Sequence, residues 1–293
     1  MFIATLIAAD RLAGGDISAA ESALRQAGVE PNGRSWIEPD TACDLLFGGS
    51  PSRALIALEG LSAGVDVIVQ GEASRRKKLL AADMDSTIIT VECIDELADY
   101  AGVKAQVAEV TERAMRGELQ FEAALAERVA LLAGLDEQVL ARCYEERVRL
   151  TPGARALVRT MKRDGAFCLL VSGGFTLFAE RVAEAVGFDR AVSNRLGIET
   201  GRLTGRVEGL IIGAEGKRQA LLDAAAEHDL DLANTLAIGD GANDIPMLEA
   251  AGLGIAYRAK PAVVNAAGGR IEHGDLSALL YAQGYARSEW VLD

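Results

Sequence analysis

The chain has few of the residues that build zinc sites or disulfide frameworks. Among its 293 residues there are only four cysteines and two histidines. The cysteines, Cys43, Cys93, Cys143 and Cys168, are far apart and form no C-x-x-C pair. This spacing argues against a zinc site and favours reduced, buried thiols of the kind found in cytoplasmic proteins.

Positive charge is also scarce. The 30 Lys and Arg residues stand against 43 Asp and Glu, which gives a formal net charge of −13. Proteins that bind nucleic acid or anionic membranes non-specifically need clustered positive charge, so we predict neither partner.

Long apolar runs are missing as well. No stretch approaches the ~18 uninterrupted apolar residues of a membrane span. The apolar start, FIATLIAA, is short and has no basic residue before it. It therefore predicts a first strand rather than a signal peptide, and we expect a cytoplasmic protein.

Residues 1–75 show the pattern of a small α+β domain. The predicted strands are FIATLIAA, RSWIEP, ACDLLF and VDVIVQG, and the predicted helices are ISAAESALRQAG and PSRALIALEGL. Their βαββαβ order is typical of ferredoxin-like folds. The basic segment GEASRRKKLL is interpreted as the linker to the rest of the chain.

From residue 76 onward, short apolar strands alternate with helical patterns. The strands include LLAADMD, FCLLVSGG, TLAIGDG and LGIAY. Such alternation indicates an α/β fold with a Rossmann-like parallel sheet covered on both faces. Residues 94–149 carry only helical patterns, so we predict a second domain at 76–293 with a helical cap inserted at about 92–150.

Polar residues gather where three of these strands end. The segments are DMDST at 83–87, SGG at 172–174 and GDGAND at 239–244, and Lys217 stands at the start of a later helix. Because ligands bind beyond the carboxyl ends of parallel strands, we expect these segments to meet at one edge of the sheet.

The acids among them suit a magnesium-dependent reaction. Asp83, Asp240 and Asp244 would supply the hard carboxylate oxygens that Mg²⁺ prefers. One aspartate can attack phosphorus and form an aspartyl-phosphate, and the second can protonate the leaving oxygen and then activate water. Two acids one residue apart, Asp83 and Asp85, would supply both groups from one strand end.

The remaining polar groups are donors suited to phosphoryl oxygens. They are the hydroxyl of Ser172, the amides of Gly173 and Gly174, and the ammonium of Lys217. Each motif alone has an ordinary alternative, a solvated turn for D-x-D or a surface position for Lys217, but their combination favours phosphoryl transfer. GAEGK lacks the Ser or Thr that follows the lysine of a P-loop, which argues against a P-loop ATPase.

Taken in order, these segments resemble the motifs of the haloacid dehalogenase (HAD) superfamily. D-x-D-x-T appears at 83–87, VSGGF at 171–175, the lysine at 217 and IGDGANDIPML at 238–248. Residues 78 to about 285 are similar, more narrowly, to phosphoserine phosphatases, which share DxDSTxxxxE at 83–92 and NRL-x(7)-LTG at 194–205. The resemblance implies the HAD fold, with its parallel sheet and helical cap.

The resemblance also implies a role for each matching residue. Asp83 would be nucleophile and metal ligand, and Asp85 would be general acid/base with its backbone carbonyl on the metal. The phosphate would be held by Ser172, Gly173 and Lys217. Asp240 would complete the metal site with Asp244 in its shell, and Asn243 would position the substrate or Lys217.

The predicted cap carries candidates for substrate selection. Arg128 lies on an apolar stripe with Phe121, where a guanidinium needs an anion, and a substrate carboxylate would satisfy it. Glu92 would take an ammonium, so the two residues together would hold a zwitterionic amino acid. Phe121 and Met115 would form a lid that excludes water.

Each of these cap assignments has a simpler alternative. Arg128 could instead pair with a cap glutamate such as Glu122 or Glu127. Phe121 and Met115 could be ordinary core residues.

The sequence therefore predicts a Mg²⁺-dependent hydrolase of O-phospho-L-serine, the enzyme of the last step of serine biosynthesis. The alternatives are a related phosphatase or phosphotransferase acting on another small phosphorylated metabolite, or an amino-acid sensor on this scaffold. The N-terminal unit resembles the amino-acid-binding, ACT-like regulatory folds of some of these phosphatases. A regulatory or dimerising role, with a homodimer as the expected assembly, follows from that resemblance.

Overall fold

The computed structural model describes residues 1–292 of the 293-residue chain. The first unit contains, in chain order, β1 (Phe2–Ala8), α1 (Gly14–Gln26), β2 (Pro31–Glu38), β3 (Ala42–Phe47), α2 (Pro51–Leu58) and β4 (Val65–Gly71). The antiparallel strand order β2-β3-β1-β4 is that of a ferredoxin-like fold, as predicted.

Both helices of this unit pack on the same face of its sheet. Alternate apolar residues of β1, β3 and β4 form one core with Leu24 of α1 and Leu58 of α2. The start of α2 is set locally, because Pro51 suits the first helical turn and the Ser50 hydroxyl accepts a hydrogen bond from the amide of Arg53.

The second unit is built on a seven-stranded sheet. Its strands are β5 (Leu79–Ala82), β6 (Phe167–Phe175), β7 (Arg190–Glu199), β8 (Arg202–Glu208), β9 (Thr235–Gly239), β10 (Leu253–Tyr257) and β11 (Gly269–Ile271). Their order is β11-β10-β9-β5-β6-β7-β8, parallel except for the β7–β8 hairpin. The predicted α/β fold is confirmed.

Helices follow the strands on both sides of this sheet. They are α7 (Ala154–Arg163), α8 (Thr176–Val186), α9 (Ala214–Glu227), α10 (Ile245–Ala250), α11 (Pro261–Ala266) and α12 (Ala278–Ala282). Two separate apolar clusters flank the sheet, as expected for a parallel sheet covered on both faces.

Four further helices stand between β5 and α7 and form the cap. They are α3 (Cys93–Tyr100), α4 (Lys104–Met115), α5 (Phe121–Ala130) and α6 (Gln138–Arg147). The chain enters and leaves the cap along two adjacent segments, because Thr151 N donates to Ile88 O at 2.9 Å and Thr90 N donates to Arg149 O at 3.0 Å. The β7–β8 hairpin supports the cap from a second side, where Gly134 N donates to Leu203 O at 2.8 Å.

The sheet face of the first unit that lacks helices packs on the second unit; we call this contact the seam. The Asp44 carboxylate accepts from Thr5 and from Arg75, whose guanidinium also donates to the carbonyl oxygen of Ala282 in α12. The Asp66 carboxylate accepts hydrogen bonds from three successive amides at 272–274. Polar side chains thus join the two units.

All four cysteines are free and buried, as the sequence predicts. Within residues 1–292, no helix combines the length and the apolar character that crossing a membrane requires.

Candidate active site

Two acids stand where the central strand of the large sheet ends. All four residues of β5 are buried, and its ladder with β9 continues for one more bond, from Asp83 N to Ile238 O at 2.9 Å. Beyond Asp83 the chain turns tightly over Met84–Ile88, with Ser86 in the left-handed region at φ 56°. This turn brings the carboxylates of Asp83 and Asp85 into one pocket.

A buried lysine joins the acids of two strand ends. Nζ of Lys217 donates to Oδ1 of Asp83 at 2.5 Å and to Oδ1 of Asp244 at 2.6 Å. The second oxygen of Asp244 accepts from Gly241 N at 2.9 Å. Lys217 therefore holds Oδ1 of Asp83 in place, and Oδ2 of the same carboxylate is available for another interaction.

Three acids lie close enough to hold one cation. Carboxylate oxygens of Asp83, Asp240 and Asp244 come within 4.8 Å of one another. Thr87 orients this group by donating its hydroxyl to Oδ1 of Asp240 at 3.0 Å. An all-oxygen donor set of this kind suits a hard divalent cation.

The charges of this group are not balanced by the protein. Three carboxylates and the one ammonium of Lys217 leave two negative charges in excess. Burial, followed by the charge of Asp244, raises the pKa of Asp83 well above its usual value and that of Asp240 to about 6. Burial alone would lower the pKa of Lys217, but the carboxylates of Asp244 and Asp83 raise it above its usual value. A divalent cation would restore neutrality, so the residues fit one.

Asp85 occupies a different environment from Asp83. Its Oδ1 accepts from the amide of Cys93 at 3.0 Å, at the N-terminus of α3, and its Oδ2 lies 3.5 Å from the Ser172 hydroxyl. Burial, with the charge of Glu92 as the next cause, raises the pKa of Asp85 to about 7. A carboxyl group with such a pKa can give and take a proton near neutrality.

The segment at the end of β6 lies beside these acids, and the Gly174 amide, one of the predicted phosphate donors, is bonded within it. Ser172 is buried, and its Oγ accepts from Gly174 N at 2.8 Å. A methyl group on Gly174 would lie 2.6 Å from Oδ2 of Asp85. Glycine is required there, because the backbone approaches the acid this closely.

The cap residues predicted to select the substrate line the same pocket. Glu92 and Arg128 both face the cavity of about 100 Å³ that contains Asp83 and Asp85. The Ser86 hydroxyl donates to Oε1 of Glu92 at 2.6 Å.

Arg128 is half-buried, and it has no carboxylate within 4.0 Å among residues 1–292. Its Nε donates only to Ala124 O, at 3.3 Å. Glu127 pairs with Arg113 instead, at 2.9 Å, so the alternative of an ion pair between Arg128 and that glutamate is not found.

The two predicted lid residues are placed differently. Phe121 lines the pocket beside residues 172–174, which we call the phosphate segment. A methyl group on Gly173 would lie 2.9 Å from Cζ of the Phe121 ring. Met115 is 62% exposed and is not among the residues lining the pocket. Its sulfur lies 3.1 Å from Nζ of Lys260, on the other side of the cap–core boundary.

The structure thus brings most of the predicted residues together in two layers. Asp83, Asp85, Glu92, Phe121, Arg128, Gly173, Asp240 and Asn243 line the pocket. Ser172, Lys217 and Asp244 lie behind them, each with 0% exposure. Asn243 does not bond Lys217, whose ammonium is taken by Asp83 and Asp244.

Sequence reasoning missed several residues that orient these groups. Thr87 belongs to the D-x-D-x-T motif, so its position was available, but its bond to Asp240 depends on the turn after β5. The amide of Cys93 that binds Asp85 carries no side-chain signal. The predicted start of a helix near residue 93 was the only indication, because the first amides of a helix have no partner within the helix and bind anions.

Comparison with known proteins identifies the family of the chain. The family model of the haloacid dehalogenase-like hydrolases matches residues 80–249. A phosphoserine phosphatase of Streptomyces coelicolor is 47% identical over 256 residues, which cover 86% of this chain and 62% of the relative.

Two solved structures extend the comparison to the fold. A HAD family hydrolase from Salmonella enterica serovar Typhi is 31% identical, with a TM-score of 0.83 and coverage of 96% of this chain and 98% of that chain. A structure described as a phospho-aspartyl intermediate analogue of phosphoserine phosphatase is 40% identical, with a TM-score of 0.66. It covers 70% of this chain and 98% of that chain.

The chain is shorter than several of the proteins it matches. It spans 62%, 66% and 55% of the length of the first three curated relatives. The match in each case includes most of this chain, at 77% or more.

Proposed function

Because the chain belongs to the haloacid dehalogenase-like hydrolases, we propose that it hydrolyses O-phospho-L-serine to L-serine and inorganic phosphate. The site has a carboxylate nucleophile, a second acid beside it and donors for a phosphoryl group. Relatives named phosphoserine phosphatase support the choice of substrate.

One observation carries the substrate proposal. Arg128 and Glu92 face the same small pocket as Asp83, and the guanidinium has no carboxylate partner among the described residues. A substrate carboxylate would satisfy Arg128 and a substrate ammonium would satisfy Glu92. O-phospho-L-serine carries both groups and its phosphate on one small molecule.

In the first step, the free oxygen of Asp83 attacks phosphorus and the bond between phosphorus and the serine oxygen breaks. Asp85 donates its proton to that leaving oxygen, which departs as the serine hydroxyl. Ser172, the Gly173 amide and Lys217 bind the phosphoryl oxygens as charge moves onto them.

In the second step, the carboxylate of Asp85 takes a proton from water, and the water oxygen attacks phosphorus. The bond to Asp83 breaks, which releases phosphate and restores the Asp83 carboxylate. One acid at position 85 thus serves both halves of the reaction.

We propose Mg²⁺ as the cation, held by Asp83, Asp240 and the backbone carbonyl of Asp85. Asp244 would act from behind, since both of its oxygens already accept hydrogen bonds, from Lys217 and Gly241. When bound, the ion would neutralise phosphoryl oxygens and the excess negative charge of the site.

The lid and the rest of the chain complete the proposal. Phe121 would exclude water from the closed pocket, and Met115 would act only at its rim. We propose that residues 1–75 form a regulatory or dimerising domain and that residues 76–293 form the phosphatase domain, with its cap at about 92–150. We further propose that the protein is a homodimer and that it is located in the cytoplasm. The free, buried cysteines support that location.

The test measures phosphate release from O-phospho-L-serine and from two analogues that each lack one of its charged groups. O-phospho-L-serine has both the carboxylate and the ammonium, phosphoethanolamine lacks the carboxylate, and 3-phosphoglycerate lacks the ammonium. We expect Arg128→Met to lower kcat/KM for phosphoserine by ~10²-fold and to change the value for phosphoethanolamine by less than about threefold.

The matched control is Arg116→Ala, which removes an exposed cap arginine that pairs with Glu118. It should leave all three values unchanged. Equal losses for every substrate in Arg128→Met, or no preference for phosphoserine in the unaltered protein, would contradict the assignment.

A further inference from the structure

A side chain outside the pocket connects two of its walls. Strands β6 and β7 pair at Val171 with Val192 and again at Phe175 with Asn194. Between these pairs, three residues of β6 stand opposite Ser193 alone, so the phosphate segment bulges out of the ladder. The carbonyl oxygen of Gly173 loses its strand partner there and accepts a hydrogen bond from Nδ2 of Asn194 at 2.9 Å.

The same side chain binds the backbone in front of α9. Oδ1 of Asn194 accepts from Ile212 N at 2.7 Å, and Nδ2 also lies 3.4 Å from Ile212 O. The next residue, Gly213, precedes the first turn of α9, and its carbonyl oxygen accepts a hydrogen bond from Lys217 N. Asn194 is 1% exposed, so its amide group is committed to these two backbones.

The two backbones border the ring of Phe121. A methyl group on Gly173 would lie 2.9 Å from Cζ of this ring, and one on Gly213 would lie 3.2 Å from Cδ1. Gly213 has φ −102°, so its backbone conformation does not require glycine. A methyl group there would also lie 2.8 Å from Oε1 of Glu122, but that side chain is exposed and its carboxylate can move away, whereas the Phe121 ring is packed in the pocket wall. We call the space between these two glycines the glycine slot.

We propose that Asn194 is a positioning residue that fixes the phosphate segment relative to the lysine helix α9 and thereby forms the glycine slot that receives Phe121. It touches neither the substrate nor the reacting atoms. This role rests on the proposed function. The buried amide of Asn194 would set the distance between the phosphate donors of β6 and α9, and it would set where the Phe121 ring packs.

The first experiment compares Asn194→Asp with Ser193→Ala. Asn194→Asp keeps the shape and the acceptor for Ile212 N but removes the donor to Gly173 O. We expect kcat to fall by ~10²-fold and orthovanadate, used as the phosphate probe, to bind ~10-fold more weakly. Ser193→Ala changes the neighbouring residue, which bonds neither backbone, and should stay within about twofold of the unaltered protein on both measures.

Binding of orthovanadate is measured by calorimetry at a temperature where circular dichroism shows each variant folded. If Asn194→Asp binds orthovanadate as tightly as Ser193→Ala does, the residue is merely structural and the proposal is wrong. Should Asn194→Asp not fold, Asn194→Ser, which is uncharged and too short to bridge the two backbones, takes its place with the same expectations.

A double-mutant cycle tests the slot itself. Gly213→Ala should lower kcat/KM by ~10-fold because its methyl group meets the ring of Phe121. In a Phe121→Leu background the same change should cost less than about twofold. Additive losses would show that Phe121 does not occupy the slot during turnover.

The outcomes separate this proposal from the assignment of substrate. Orthovanadate binding and the hydrolysis of p-nitrophenyl phosphate do not depend on a serine group. If phosphoserine is not the substrate, the predicted losses must still appear with these two probes. If phosphoserine is hydrolysed but Asn194→Asp matches Ser193→Ala, only the inference about Asn194 fails.

Discussion

The active site and the seam both bury charged groups, but they balance them differently. At the seam, the Asp44 carboxylate meets the Arg75 guanidinium at 2.7 Å, and Asp66 is surrounded by backbone amides. In the site, Asp83 and Asp244 share the single ammonium of Lys217, and Asp240 beside them accepts only the Thr87 hydroxyl among the bonds of the described residues. Buried charge whose partners are complete is tolerated within a fold, whereas an excess of like charges in a pocket, such as these three carboxylates, is typical of a metal or ligand site.

The largest effect is expected for Asp83→Asn in the active site. We expect turnover to fall by ~10⁴-fold, because the nucleophile is lost. The free energy of unfolding, measured in EDTA so that no metal is bound, should not fall and should rise slightly, because one of the two excess negative charges is removed. Phosphate release and urea denaturation measure the two effects. Asp99→Asn, at an exposed cap position, is the control, and a large loss of stability in Asp83→Asn would contradict the idea of excess charge.

The opposite pattern is expected at the seam for Asp44→Ala. Removing one partner of the buried pair leaves Arg75 uncompensated, and the free energy of unfolding should fall by about 3 kcal/mol. The value of kcat at a temperature where the protein is folded should not change. Glu30→Ala removes an exposed acid of the same unit that lies 3.4 Å from Arg25 and should cost less than about 0.5 kcal/mol. Equal effects in the two variants would refute the role of the seam.

A smaller loss is expected for Asp66→Asn. The amide keeps one acceptor oxygen for the backbone amides at 272–274 but loses the negative charge and the second acceptor. The free energy of unfolding should fall by about 2 kcal/mol. Glu72→Gln, an exposed neutralisation in the same unit, serves as the control in the same urea experiment. If the two variants are indistinguishable, the amides do not hold Asp66.

Lys77 represents a third arrangement, a buried cation without an acidic partner in the described part of the chain. It is 2% exposed, its Nζ donates to Ala233 O at 2.9 Å, and burial lowers its pKa to about 8. Below pH 8 both folded and unfolded chains carry the charge, so its burial costs stability. Between about pH 8 and 10.5 the folded chain loses the proton first, so stability rises with pH.

The measurement is the stability of the unaltered protein minus that of Lys77→Met, by urea denaturation at pH 7.5 and 10.5. This difference should increase by about 2 kcal/mol in favour of the unaltered protein at the higher pH. The subtraction removes other groups that titrate in this range. A constant or decreasing difference would show that the lysine is not penalised by burial.

Much of this architecture follows from local patterns. The six elements of the first unit and the polar strand ends of the second were predictable, because period-two strands and glycine-rich strand ends are written in short segments. The meeting of Asp83, Ser172 and Asp240 followed from the parallel sheet, since the carboxyl ends of β5, β6 and β9 lie at one edge.

The contacts that orient these residues were beyond sequence reasoning. The left-handed turn at Ser86 and the bulge opposite Ser193 are set by tertiary packing, and no residue pattern announces them. The same holds for Met115, whose helical spacing does not reveal that its side chain lies at the surface. Distances between segments far apart in the chain decide these details.

The adjoining entry and exit segments of the cap have a consequence for redesign. Ile88 is bonded to Thr151 and Thr90 to Arg149, so the chain between them starts and finishes at the same point of the scaffold. Such a segment can be exchanged as a unit, because its two ends are already adjacent. Replacing residues 94–148 with a different insert should change the choice of substrate, while β5, Asp83 and the Cys93 amide that binds Asp85 keep their places.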